Sequence, residues 1–130
     1  MSRENVEVIR HAIDHLSETG ELAEECYDPQ VEYTTQPDAP MHTTYQGLQG
    51  LQRSLESLRE AWDSMKLEAR EFIEADEAIV ALTHFRLRGH SGVELEVDQA
   101  WTYRMRNGKI WRMEQYGSKQ EALEAAGLSE

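Results

Sequence analysis

Side chains able to do acid–base or metal chemistry are few and scattered in this sequence. His11 and His15 stand four residues apart, the spacing at which two imidazoles on one helix could share a metal ion. The apolar stripe of the same segment, Val6, Ile9, Ile13 and Leu16, runs along the opposite side, so the pair is expected on a solvated face and no metal is assigned. Cys26 is the single cysteine, which excludes an internal disulfide and a cysteine zinc cluster and leaves packing as its role. The side chains that do converge are aromatic or polar without charge. Tyr33, Trp62, Thr83, Phe85, Gln99, Trp101, Tyr103, Trp111, Met113 and Gln115 are the candidate pocket residues. Apolar walls with a few polar tips suit a small-molecule site. The plainer reading is core filling, with the Trp and Tyr tips finding local hydrogen bonds.

Several elements must position these residues. The helical stripe of Glu4–Glu18 stops at Gly20, and residues 21–27 read as a second short helix ended by Asp28-Pro29. Val31–Thr34 reads as a short strand. Leu48, Leu51, Leu55, Leu58, Trp62 and Met65 then form one stripe of a long helix. Beyond it the period changes to two, and residues 66–75, 78–89, 93–105 and 110–116 read as strands, with turns at Asp76-Glu77, His90-Ser91-Gly92 and Asn107-Gly108. Ser118 and Glu121 make a capping box for a last helix through Ala126. Helices followed by hairpins indicate an α+β domain with helices on one face of a curved sheet.

Arithmetic on the hairpins gives the facing. A three-residue turn at His90-Ser91-Gly92 pairs positions summing to 182. Arg88 then meets Glu94, Arg86 meets Glu96 and His84 meets Asp98 on an outer face, while Leu87–Leu95, Phe85–Val97, Thr83–Gln99 and Ala81–Trp101 share the inner face. The second hairpin admits two registers. A two-residue Asn107-Gly108 turn carries Arg112 and Glu114 inward and makes Glu114 an acid–base candidate. A three-residue turn carries Trp111, Met113 and Gln115 inward, and it is favoured because burying unpaired charges costs several kcal/mol.

The composition excludes whole classes of function. The chain has 130 residues with 25 acidic and 13 basic side chains, a net charge of −12, which argues against duplex nucleic acid and anionic lipid as partners. Half of that charge, −6, lies in residues 1–30, whereas residues 79–112 carry +3. The start MSRENVEV is too polar for a signal peptide, and no apolar run is long enough to span a membrane. A single unit over residues 1–130, working in a reducing cytoplasm, is the expectation.

Several segments together carry a family resemblance: Glu4–Ile9, Tyr27-Asp28-Pro29 with Val31-Glu32-Tyr33, Tyr45 and Gly47, Arg106–Ile110, Glu114 with Tyr116, and Glu121–Leu128. In order and spacing the chain resembles the SnoaL-like proteins of the nuclear transport factor 2-like superfamily over essentially its whole length. The resemblance implies a cone, a curved antiparallel sheet wrapped around N-terminal helices with an apolar pocket between them and a short C-terminal helix. It also implies frequent homodimers through the outer sheet face. Relatives include polyketide cyclases, ketosteroid isomerases, epoxide hydrolases, dehydratases and non-catalytic binding modules, so fold does not settle function.

The enzymes among these relatives use a carboxylate inside the cone. At the matching positions this chain has Gln115 on the last strand, Thr83 and Phe85 on an inner strand, and Tyr33 on the first strand. Gln115 cannot move a proton at neutral pH, though it can orient a carbonyl or a water. His42, in the loop that can cover the pocket mouth of such folds, is the catalytic candidate by position. Two readings follow. One is a domain binding a small apolar or aromatic molecule, acting without metal or cofactor if it is an isomerase, cyclase or hydratase. The other is a non-catalytic assembly module using the outer face around Val80, Leu82, Arg104, Ile110 and Tyr116.

Overall fold

The amphipathic stripe of the first segment folds as helix α1 (Ser2–Thr19), and it buries Ile9, Ala12 and Ile13 against the sheet. These observations come from a computed structural model that describes residues 2–40, 42–76 and 78–127. Glu77 of the expected Asp76-Glu77 turn and Leu128 of the closing motif lie outside the described residues. After α1 the chain makes only one 3-10 turn (Glu24–Cys26) where a short helix was expected, and then enters β1 (Tyr27–Thr34). The expected helix has too few residues to offset its nucleation cost, and Tyr27 and Val31 are instead buried as strand residues.

The remaining elements are β2 (Thr44–Gln46), α2 (Gly47–Ala61), β3 (Ser64–Glu74), β4 (Ile79–Arg88), β5 (Glu94–Arg106), β6 (Lys109–Tyr116) and α3 (Lys119–Ala125). Helix α2 is shorter than its stripe suggested. Trp62 is its extended C-cap, and Met65 belongs to β3 opposite Leu87. The stripe ran on by coincidence, because strand alternation took over at Ser64 while apolar residues still fell three and four apart.

The six strands form one sheet in the order β2-β1-β6-β5-β4-β3. All pairs are antiparallel except β1 with β6, which is parallel, so the sheet is mixed. Bulges interrupt β3 at Arg70 and β6 at Trp111, and such extra residues bend a sheet toward the curvature that encloses a core.

The β4–β5 register pairs Arg88 with Glu94, His84 with Asp98, Thr83 with Gln99 and Ala81 with Trp101, as the arithmetic required. The β5–β6 hairpin combines features of both alternatives. Its turn has two residues, Asn107 (φ 54°) and Gly108 (φ 76°), both in the left-handed region that a tight hairpin turn demands. One register step later the bulge at Trp111 absorbs a residue, so Tyr103 faces Met113, Trp101 faces Gln115, and Glu114 stays on the outer side with Thr102. Burial of Met113 and Gln115 rather than Arg112 and Glu114 decides the body of the hairpin, while Asn-Gly decides its tip.

The main core lies between α1, α2 and the concave face, and includes Ile9, Val31, Ile110 and Tyr103. A second cluster lies on the convex face, where α3 seats Ala122 and Ala126 on Val80 and Ala100, with Leu82 and Tyr116 packed around them. The outer surface proposed for assembly therefore needs correction. Val80 is fully buried under α3, Ile110 is fully buried in the main core, and Arg104 donates to the Ala125 carbonyl at 3.0 Å. What remains open on that face is a charged lattice, with Arg88 on Glu94 at 2.8 Å and His84 between Asp98 and Glu96 at 2.7 and 2.8 Å. Among the described residues, no helix is long and apolar enough to cross a membrane.

Candidate functional site

The concave face, α1 and α2 enclose a cavity of about 370 Å³. Its aromatic wall is built from three strands. Tyr33 of β1 lies 5.7 Å from Tyr45 of β2 and 5.6 Å from Trp101 of β5, and Trp101 lies 6.3 Å from Tyr103, centroid to centroid. These are the distances at which aromatic rings attract beyond their area burial. Leu51, Leu55 and Leu58 of α2 and Ile13 of α1 close the opposite side. Gly50 permits this close approach: a Cβ there would stand 3.1 Å from the Tyr45 carbonyl carbon, so any other residue would require β2 to give way by a few tenths of an ångström.

The polar groups of the wall are held by one another. The Tyr33 hydroxyl donates to Gln115 Oε1 at 3.1 Å, and Trp101 Nε1 donates to Thr83 Oγ1 at 3.2 Å. Gln99 Oε1 is buried with no hydrogen-bond partner among the described residues, although an unpaired buried acceptor is costly. Burial pushes the Tyr33 phenol up to about 12, with the neighbouring Tyr45 adding to the shift. Burial likewise raises Tyr27 and Tyr103. These phenols therefore stay protonated at neutral pH and act as hydrogen-bond donors. Among the described residues, no Asp, Glu, His, Lys or Arg lines the cavity.

The structure brings seven of the sequence candidates into this wall: Tyr33, Phe85, Gln99, Trp101, Tyr103, Met113 and Gln115. Four lie elsewhere. Thr83 is buried behind Trp101 and orients its indole without lining the cavity. Trp62, past the end of α2, lies over Gly89, where a Cβ would stand 3.5 Å from its ring. Trp111 is the bulge residue and stacks between two guanidinium groups, 4.5 Å from Arg106 and 4.3 Å from Arg112. His42 is exposed and does not line the cavity; its Nδ1 sits 3.1 Å from the carbonyls of both Thr35 and Gln36 in its own loop. The correction for His42 has a simple cause: the loop folds back on itself through Thr35 and Thr43 and uses the imidazole as its own brace.

Sequence reasoning missed Tyr27, Tyr45 and Ser54, which also line the cavity. Ser54 had a usable signal, since it falls three residues after Leu51 and four before Leu58 on the apolar stripe. Tyr45 had none, because a three-residue strand is too short to show alternation.

The SnoaL-like domain family matches residues 9–113. This chain belongs to that family. Among solved structures, TerC co-crystallised with polyporic acid superposes with a TM-score of 0.76 at 22% identity, covering 95% of this chain and 97% of that one. A SnoaL-like polyketide cyclase from Jannaschia gives 0.72 at 13% identity over 95% and 91% of the two chains. A protein of ketosteroid isomerase-like fold from Catenulispora acidiphila, in complex with trimethylamine, gives 0.68 at 13% identity over 96% and 93%. At these identities the likeness is one of fold. Among curated proteins the sequence finds no match.

Proposed function

We propose that this SnoaL-like domain binds a small, uncharged, largely aromatic molecule between α2 and the concave face of its sheet. The observation that carries the reading is the cavity of about 370 Å³, bounded by three neighbouring aromatic rings and lined, among the described residues, by no Asp, Glu, His, Lys or Arg. A charged ligand would meet no counter-charge there, whereas a flat ring system would gain area burial and stacking. Gln99 Oε1 calls for a hydroxyl or N–H on the ligand, and the phenols offer donors to a carbonyl. A neighbour of the same fold co-crystallised with polyporic acid is in keeping with such an occupant. If the ligand is turned over, the tyrosine hydroxyls polarise its oxygen while water carries the proton, because His42 does not line the cavity. The lone buried thiol Cys26 suits a reducing cytoplasm.

Intrinsic fluorescence tests the reading in a Trp111→Phe background, which removes one of the two tryptophans outside the cavity and leaves Trp62 as the reporter of non-specific quenching. Titration with a panel of planar polyketides, steroids and terpenoids is expected to give saturable quenching by at least one class, abolished in Trp101→Phe. A panel that leaves emission unchanged, or quenching that survives in Trp101→Phe, refutes it. Assembly is tested separately by sedimentation. The family expectation is a dimer of the 15.0 kDa chain, and a concentration-independent monomer would count against it.

A further inference from the structure

The histidine pair set aside as solvated acquires two partners in the fold. The 3-10 turn after α1 presents Glu25 and Cys26 to the side of α1 that carries His11. His11 Nε2 lies 3.4 Å from Glu25 Oε2, and the donor atoms of His11, Glu25 and Cys26 all fall within 4.8 Å of one another. His15 is one helical turn further on, its ring centroid 5.9 Å from that of His11. We infer that His11, His15, Glu25 and Cys26 form a binding site for a borderline-soft divalent cation, with Zn²⁺ the best fit.

The donor chemistry selects the metal. Two imidazoles, one carboxylate and one thiol are the ligand types of four-coordinate zinc, while a thiol disfavours Mg²⁺ and Ca²⁺. With metal–ligand bonds of about 2.0–2.3 Å, tetrahedral donors stand roughly 3.3–3.8 Å apart, so His11, Glu25 and Cys26 need move only about 1 Å to close on an ion, and His15 completes the set by turning its ring from one helical turn away. The surroundings allow it. The His11 and Glu25 side chains are 56% and 71% exposed and free to swing, whereas Cys26 is only 5% exposed and sets the floor of the site. Binding forms a metal–sulfur bond and releases the thiol proton to solvent. Because the thiol gives up its proton to bind, affinity strengthens as pH rises. The ion would tie the start of β1 to α1. Tyr27, next in sequence to Cys26, and Ile13 both line the cavity, so the clamp would stiffen one of its walls.

Chelator-stripped protein titrated with Zn²⁺ by calorimetry, and with Co²⁺ by absorbance, decides the matter. One ion per chain is expected, with a rise in Tm and a thiolate-to-cobalt charge-transfer band that disappears in Cys26→Ser. His11→Ala, His15→Ala and Glu25→Gln change exposed or half-buried groups and should keep the native circular dichroism spectrum. Each should weaken Zn²⁺ by at least ~10–100-fold, the loss already typical of residues that merely support a ligand. Absence of stoichiometric binding, a Co²⁺ spectrum without the charge-transfer band, or an affinity unchanged by any one of the three surface substitutions overturns the assignment.

Discussion

Replacing Tyr33 with phenylalanine removes one oxygen and tests whether the cavity wall is pre-organised by its own hydrogen bonds. The phenol donates to Gln115 Oε1 at 3.1 Å across the parallel β1–β6 pair, joining residues 82 apart in sequence. A neutral intramolecular hydrogen bond contributes about 0.5–1.5 kcal/mol net, and stranding its buried acceptor costs about 1–3 kcal/mol. The cavity is large enough for water to reach Gln115 once the phenol is gone, so the lower end applies. Tyr33→Phe should therefore destabilise by about 1 kcal/mol, lowering Tm by roughly 3–5 °C for a chain of this size. The bond itself is isolated by adding Gln115→Leu and the double variant, with stability measured by urea unfolding. The two single effects should exceed the double by about 0.5–1.5 kcal/mol. Strict additivity, within the ~0.3–0.5 kcal/mol usual for independent sites, would refute a pre-formed Tyr33–Gln115 bond.

Two further outcomes follow from the same core. Because burial holds the Tyr33 phenol up to about 12 against 10.0 when exposed, its stabilisation is complete below about pH 10 and is lost as pH rises toward 12. Tyr33 alone would then withdraw up to roughly 3 kcal/mol, with Tyr27 and Tyr103 acting in the same direction. Urea midpoints measured from pH 8 upward should fall steeply past 10, less so in Tyr33→Phe, and a flat profile would contradict the burial of these phenols. Ile110 is fully buried at the junction of β6 with α1 and β1, so Ile110→Ala should cost about 2–5 kcal/mol in urea or thermal unfolding. A loss under about 1 kcal/mol would place it on the surface.

The contrast between two tryptophans shows where reading ahead of the structure succeeds. Trp101 was placed on the inner face by cross-strand charge pairing in the β4–β5 hairpin, because Arg88–Glu94 and His84–Asp98 admit only one register. That constraint is local and periodic, and it is written in neighbouring residues. Trp111 could not be placed in the same way. Asn107-Gly108 and the burial preference of Met113 ask for registers one residue apart, and a bulge satisfies both by expelling Trp111 between two arginines. A bulge has no periodic signature, since it is the point where period fails. Trp62 failed for a related reason: helical and strand spacing overlapped at the end of α2.

Residue types alone determined that this chain would be a helix-and-hairpin domain with an uncharged, aromatic interior, because burial preference and periodicity are properties of short segments, while its SnoaL-like kind was legible in the resemblance of a few ordered motifs. Tertiary structure decided what lies across long loops. It turned His42 outward onto its own loop, laid α3 over Val80, joined Tyr33 to Gln115, and carried Glu25 and Cys26 up to His11. Each of those contacts depends on how strands and helices stack in three dimensions, which spacing along the chain does not encode.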